Sequence, residues 1–185
     1  MKIVITHQSP DFDAVASAYG AFVLHSCDKI YLSHNVDDNV MAYIRDANME
    51  GIFQRVSTTF VEKFSGEIEL LVITDCKMKS RLGYLVELIK KAKKVSVYDH
   101  HITSDCDITA DEKFIEEIGS STALVMNKIA EKDILLPKNG LNLMLLGIYE
   151  DTGFLTFNTT TEMDLRAVID ILKKGGDLSK INQYI

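Results

Sequence analysis

Lys2-Ile3-Val4-Ile5-Thr6-His7-Gln8-Ser9-Pro10-Asp11-Phe12-Asp13-Ala14-Val15-Ala16-Ser17-Ala18-Tyr19-Gly20-Ala21-Phe22-Val23-Leu24 is the stretch on which the fold turns. Lys2 to Thr6 is a β-rich run that stops at a polar segment, and from Asp13 to Leu24 the residues Ala, Val, Phe and Leu recur at helical spacing. Strand, loop and helix therefore follow in immediate succession. The rhythm returns in Lys29 to Ser33 followed by Asp37 to Met49, in Leu70 to Thr74 followed by Leu82 to Ala92, and in the apolar run Lys94 to Tyr98. Strands alternating with helices require crossover connections, and these place the strands parallel.

After residue 119 the pattern turns helical: Ser120 to Glu131, Leu141 to Glu150, and Thr161 to Lys174. Thr160 or Thr161 caps the last of these, Gly175-Gly176 ends it, and Pro137 with the Lys-Asn-Gly that follows makes a turn between two helices. The expected fold class is α/β: three layers, a mostly parallel sheet of about five strands, helices on both faces, and a more helical C-terminal third. No internal repeat and no Pro/Gly/Ser-rich linker interrupts residues 1–185, so one domain is expected. Gly175 to Ile185 starts a new element, with Asp177 as its cap, and then stops, so a piece of a longer chain is expected.

Composition narrows the function. With 46% hydrophobic and 25% charged residues the chain is that of a folded globular protein. No apolar run approaches the roughly 20 residues of a membrane-spanning helix. The N-terminus reaches His7 too soon for a signal peptide, so a cytoplasmic location with no membrane partner is expected. Cys27, Cys76 and Cys106 form an odd set with no Cys-x-x-Cys pair, which suggests neither a disulfide framework nor a thiolate zinc site. The 27 acidic against 20 basic residues give a net charge of −7, which disfavours a broad duplex nucleic-acid surface. A small phosphate-containing ligand or short oligonucleotide remains compatible where metal ions supply positive charge.

Polar chemistry collects where the apolar runs end. Lys2 to Thr6 gives way to His7, Asp11 and Asp13, Leu70 to Thr74 gives way to Asp75, and Lys94 to Tyr98 gives way to Asp99, His100 and His101. In parallel sheets the carboxyl ends of the strands share one edge, where ligands bind. Asp151, ending an apolar helix ahead of Thr152-Gly153, can join the same rim. Two unit charges about 4 Å apart interact by roughly 4 kcal/mol at an effective dielectric near 20. Several carboxylates crowded together therefore call for a cation. Lysine and arginine are missing from these motifs, and imidazole mixed with carboxylate suits Mn²⁺, and also Mg²⁺, Co²⁺ or Zn²⁺. Two ions sharing a carboxylate would activate water and clamp a phosphoryl group, which implies hydrolysis of a phosphoester or a phosphoanhydride. Each motif alone also reads as helix capping or a solvated turn; it is their joint position that points to a site. His25 and His34 have no partner motif and read as surface or helix-end residues.

Thr6-His7-Gln8-Ser9-Pro10-Asp11-Phe12-Asp13-Ala14, Asp75, Tyr98-Asp99-His100-His101 and Asp151-Thr152-Gly153 together resemble the four ordered motifs of the DHH phosphoesterase superfamily. The resemblance implies that His7, Asp11 and Asp75 hold a first metal ion and that Asp13, Asp75, His100 and Asp151 hold a second, with Asp75 shared. It further implies two divalent cofactor ions, Mn²⁺ foremost, with His101 facing the phosphate and Asp99 orienting its neighbours as catalytic-site residues. Asp-Phe-Asp-Ala, the segment Thr74 to Gly83 and the run Gly175 to Tyr184 look most like the module that precedes CBS domains and a nucleotidyltransferase head in bacterial poly(A) polymerase or tRNA nucleotidyltransferase proteins. That likeness makes nucleotidyltransferase and CBS domains expected partners in one longer chain. Superfamily members usually carry a second, substrate-binding domain, and the likeness makes one expected beyond residue 185.

Substrate contacts are expected from His101, from Arg81 together with Lys77 and Lys79, and from Ser120 and Ser121, whose hydroxyls and free N–H groups open a helix and offer an anion site. N-capping is the competing reading for the two serines. Phe12, where the superfamily more often has Gly or Thr, weighs against a pyrophosphatase-like activity.

Overall fold

The computed structural model of the chain describes residues 1–102 and 105–185. Six strands form one sheet: β1 (Lys2–Ile5), β2 (Lys29–Leu32), β3 (Phe53–Arg55), β4 (Leu70–Thr74), β5 (Val95–Asp99) and β6 (Glu112–Ile115). Every strand pair is parallel, in the order β3-β2-β1-β4-β5-β6. Successive strands step outward on one side of β1, and the chain then crosses back to lay β4 on its other side. The reversal of direction between β1 and β4 opens a crevice at their carboxyl ends.

The sheet has six strands rather than about five, and the two that lie outside the four runs read from the sequence are its two edges. β3 is three residues with only Phe53 buried, and β6 has no fully buried residue, so neither carries the apolar run that announces an inner strand. The inner strands β1, β4 and β5 are nearly continuous apolar runs because helices cover both of their faces.

The two faces differ in weight. Val4, Val72 and Tyr98 point into the larger core, against α1 (Phe12–Leu24), α5 (Ser121–Glu131), α6 (Lys138–Asp151) and α7 (Glu162–Lys173). Ile3, Ile5, Leu71, Ile73 and Val97 point the other way, onto Val61 of the short α3 (Thr58–Lys63), Leu82 of α4 (Lys79–Leu82), and Leu85 and Leu88 of a 3₁₀ helix at Gly83–Lys91. That stretch was expected as an α-helix; Gly83, at φ +54°, breaks it from α4, and it winds more tightly. α2 (Asp38–Asp46) and the C-terminal α8 (Ile181–Tyr184) complete the described elements. Among the described residues no helix is long and apolar enough to cross a membrane.

Caps fix the helix starts. Asp11 opens α1 by accepting the Ala14 N–H at 3.0 Å, and Ser120 opens α5 by accepting that of Ala123 at 3.1 Å. Thr161 and Asp164 form a capping box on α7. Lys138 to Gly140, expected as a turn, form the first turn of α6 behind Pro137, whose preset φ suits a helix entry.

α1, α5 and α6 meet most closely at Gly147. A methyl group there would stand 2.7 Å from Ala16 Cβ, 2.5 Å from Thr122 Oγ1 and 3.0 Å from the Phe12 carbonyl oxygen. The last of these is backbone and cannot swing aside. Gly147→Ala is therefore expected to cost about 1–3 kcal/mol by chemical denaturation, through overpacking, and to weaken divalent-ion binding because Asp151 stands one turn further along the same helix. Wild-type stability in this variant would show that the three helices can part at no cost.

Candidate metal centre

Four loops bring side chains to the crevice. The β1–α1 loop supplies His7 and Asp11, the first turn of α1 supplies Asp13, the end of β4 supplies Asp75, the end of β5 supplies Asp99, His100 and His101, and the end of α6 supplies Asp151. Asp75 lies at the centre, 3% exposed. Its Oδ2 stands 3.2 Å from His7 Nε2, while its Oδ1 stands 3.6 Å from His100 Nε2 and 3.6 Å from His101 Nδ1. The two carboxylate oxygens thus face opposite sets of nitrogen atoms. Among the described residues, three groups have ligand atoms within 4.8 Å of one another: His7, Asp11 and Asp75; Asp75, His100 and His101; and Asp13, His100 and Asp151.

Asp75 holds this place at the cost of backbone strain. Its φ is +53°, in the left-handed region, a placement that costs a residue other than glycine roughly 1–3 kcal/mol and persists only where the surroundings over-determine it. Two contacts do so: the Asp75 N–H donates to the Tyr98 carbonyl at 2.8 Å, and the Ser121 hydroxyl donates to Asp75 Oδ1 at 3.0 Å.

The imidazoles are oriented from behind. His100 Nδ1 lies 3.0 Å from the Ile118 carbonyl oxygen, which can only accept, so Nδ1 carries the hydrogen. Nε2 then turns toward Asp151 Oδ2 at 3.0 Å, yet it is buried and makes no hydrogen bond. A neutral imidazole presents a lone pair there, facing carboxylate oxygens. A cation between them resolves that opposition, and a carbonyl behind a ligating histidine is the usual support. Asp99, 1% exposed, does the same for His101: its Oδ1 accepts from the His101 N–H at 2.8 Å and from Nδ1 at 2.7 Å. This hydrogen bond, above all, raises the pKa of His101.

Charge in the centre is uncompensated by protein cations. Among the described residues, the ion pairs of lysine and arginine all lie elsewhere. Burial pushes the Asp13 carboxyl well above the usual carboxylate range, and the charges of Asp75, Asp151 and Asp11 push it further. Burial raises Asp151 to about 6, against the pull of His100. Burial also acts to raise Asp75, but the His7 hydrogen bond and the charges of three imidazoles outweigh it and hold the group below its ordinary value. Acids pushed up around one held down describe a site short of positive charge.

Glu150 and Asp164 carry no signal of their own in the sequence. Glu150 Oε2 accepts the Phe12 N–H at 2.7 Å, tying the start of α1 to the end of α6, and burial pushes its carboxyl up to about 7. Its position next to Asp151 is the one available hint. Asp164, fully buried, accepts from the Gly119 N–H, the Ser120 hydroxyl, and the Thr161 N–H and hydroxyl, at 2.8 to 3.1 Å. It pins the entry of α5 to that of α7.

Three expectations need correction. Ser120 and Ser121 are fully buried and committed elsewhere: Ser120 caps α5 and bonds Asp164, and Ser121 bonds Asp75. The anion at the start of α5 is the protein's own, because Asp13 Oδ2 and Oδ1 accept the N–H groups of Ser121 and Thr122 at 2.9 and 2.8 Å. Phe12, 1% exposed, packs edge-on to Tyr43 in the larger core, so it does not discriminate between substrates. Lys77 is buried at 4% exposure, whereas Lys79 and Arg81 are exposed. Of the three, Arg81 is the one whose charge acts on His101. His25 lies at a helix end as expected, the C-cap of α1, and meets the Tyr98 hydroxyl at 2.9 Å.

Residues 2–148 match the family model described as the DHH family, N-terminal domain, and the chain belongs to this family. Among its relatives, an A-adding tRNA nucleotidyltransferase of Geobacter sulfurreducens is 32% identical over the whole chain, which spans 21% of that protein. A Brevibacillus brevis protein named "Probable manganese-dependent inorganic pyrophosphatase" is 26% identical over 96% of the chain and 61% of its own length. Among solved structures, an exopolyphosphatase-related protein from Bacteroides fragilis superposes with a TM-score of 0.80 at 22% identity, covering 99% of this chain and 55% of that one. The chain thus spans about a fifth to three fifths of the length of these relatives.

The raised acids fix a pH dependence. With Asp151 at about 6 and Glu150 at about 7 in the folded state, above ordinary values of 3.8 and 4.5, the folded chain holds more protons than the unfolded one between about pH 5 and 7. Metal-free protein should therefore lose thermal stability as pH rises through that window. Divalent ions need the deprotonated ligands, so the rise in Tm on adding Mn²⁺ should grow over the same window. Thermal melts at pH 5, 6 and 7 check this; a Mn²⁺-induced rise that is largest at pH 5 would contradict it.

Proposed function

We propose that this member of the DHH family is a metal-dependent hydrolase acting at phosphorus, cleaving phosphate esters of nucleotides or short oligonucleotides with two divalent ions, Mn²⁺ foremost, held on either side of Asp75. The observation that carries the reading is the divided Asp75 carboxylate, with His7 at one oxygen and His100 and His101 at the other. His7 and Asp11 complete one side, and Asp13, His100 and Asp151 complete the other. When bound, the ions supply Lewis acidity, an activated water and a clamp on phosphoryl oxygens.

The residues around them position and protonate. Asp99 fixes the His101 ring through Nδ1, which leaves Nε2 as its working nitrogen. The Asp99 hydrogen bond raises the pKa of His101, which favours its protonated form relative to a free imidazole. Its side chain is 39% exposed at the rim of the crevice, where Nε2–H can donate to a phosphoryl oxygen or deliver a proton to the leaving oxygen. Arg81, whose charge acts on His101, adds attraction for an incoming anion in a chain of net charge −7. Ser121 and Ala14, donating to Asp75 and Asp11, hold ligands rather than substrate.

Two other readings have support. Hydrolysis of a phosphoanhydride is favoured by the pyrophosphatase name of the Brevibacillus relative. A regulatory metal- and nucleotide-binding module beside nucleotidyltransferase and CBS domains is favoured by the Geobacter relative, of which this chain corresponds to 21%. Positioning of the reacting group contributes roughly 7–11 kcal/mol in favourable cases; on this reading the 185-residue chain turns over slowly and a second domain supplies much of the grip.

His101→Ala is expected to retain Mn²⁺ while lowering kcat/KM on a chromogenic phosphodiester by about 10²-fold or more, the usual worth of a positioned acid–base group. Asp99→Ala should lower it about 10- to 100-fold. Steady-state kinetics with metal analysis of each variant check both. An active His101→Ala would remove this residue from the reaction, and a wild-type chain that binds Mn²⁺ yet cleaves neither ester nor pyrophosphate would favour the regulatory reading.

A further inference from the structure

A cavity of about 600 Å³ opens directly beside the metal centre. His100, His101 and Asp151 form its inner edge, and Ile102, Glu117, Asn158 and Thr159 line it further out. Small organic ligands occupy pockets of this size, and a phosphoryl group held at the centre would leave most of the space unused. What lines the remainder decides what it can take. None of the lining residues is a lysine or arginine, and Glu117 and Asp151 are acids. A second phosphate lodged in the outer part would face Glu117 with no lysine or arginine in the lining. A neutral group carrying hydrogen-bonding edges meets no such penalty.

The side chains suit such a group. Ile102 is 55% exposed at the mouth and offers an apolar face. Among the described residues no hydrogen bond is recorded for the Asn158 amide, which has both donors and an acceptor to give, and Thr159 adds a hydroxyl. The loop that delivers them is held under strain. Phe154 and Leu155, at φ +60° and +64°, are consecutive left-handed residues other than glycine. Thr152 holds them there: its hydroxyl accepts the Leu155 N–H at 3.0 Å, and its carbonyl accepts those of Thr156 and Phe157, each at 3.0 Å. The strain turns the chain sharply after Asp151, so that Asn158 and Thr159 return to the same cavity that Asp151 edges.

We infer that this cavity seats the nucleoside of a nucleotide substrate, with Ile102 against the base and Asn158 and Thr159 bonding its polar edge and sugar, so that the site selects nucleoside phosphoesters over inorganic pyrophosphate. The inference rests on the hydrolase reading for its kinetics and stands apart from it for binding.

The test compares two diesters with one leaving group on the Mn²⁺-loaded chain: thymidine 5′-(p-nitrophenyl phosphate) and methyl p-nitrophenyl phosphate. The nucleoside ester should show a kcat/KM higher by about tenfold or more, carried mainly by KM. Asn158→Ala and Ile102→Asp, both at exposed positions, should each pull that ratio toward unity without changing turnover of the methyl ester. Equal kcat/KM for the two diesters, or variants that leave the ratio intact, would overturn the inference. If neither ester is cleaved the phosphoester reading fails, and equilibrium dialysis still decides the cavity. Adenosine 5′-monophosphate should then bind the Mn²⁺-loaded chain about tenfold more tightly than orthophosphate, with the preference lost in Asn158→Ala; equal affinities would refute the seat.

Discussion

A carboxylate taken out of water must find a cation, a set of hydrogen-bond donors or a proton, and the arrangement at the carboxyl edge of this sheet follows from that demand. Asp13, Asp75 and Asp99 are at most 3% exposed, and Asp151 and Glu150 are largely covered. Lysine and arginine pair elsewhere on the surface. Backbone N–H groups answer part of the demand: two from α5 for Asp13, one from α1 for Glu150 and one from His101 for Asp99. Imidazoles answer another part at Asp75. The remainder, visible as acids pushed toward their protonated forms and as a buried His100 Nε2 without a partner, is a place where the side chains could hold a metal ion.

The fold makes this concentration attainable. The order β3-β2-β1-β4-β5-β6 brings β1 and β4 side by side where the connections diverge, and it is their ends that supply His7, Asp11 and Asp75. α6 reaches the same crevice because Gly147 lets it press against α1 and α5, which carries Asp151 to the rim. Glu150 then ties the end of α6 to the start of α1, and Asp164 ties the start of α5 to that of α7. The candidate metal ligands thus sit at or just beyond the ends of strands and helices, and Ile102, Asn158 and Thr159 of the neighbouring cavity lie further along the loops.

Much of this was legible in the sequence, for identifiable reasons. The inner strands announce themselves because both faces are covered and their residues run apolar without alternation, and the polar residues that end them mark the edge at which the crevice lies. The edge strands were not legible: Phe53–Arg55 is too short, and Glu112–Ile115 too exposed, to carry a pattern. The break at Gly83 and the tight winding after it depend on a positive φ that periodicity does not report. At the site, the motif residues converge, but their supports could not be read from spacing. Asp164 looks like any acid in a first helical turn until Gly119 and Ser120 are seen to lie against it. Ser120 and Ser121 look like an anion site because the anion that occupies the helix start, Asp13, is distant in sequence.

The account stands or falls on what Asp75 holds. Anomalous difference maps from crystals grown with Mn²⁺, recorded near the manganese edge, test it most directly. Two peaks are expected, one beside His7 and Asp11 and the other beside Asp13, His100 and Asp151, both touching Asp75 and both absent in Asp75→Asn. A map without a peak at Asp75, or one whose peaks survive unchanged in that variant, would contradict the account.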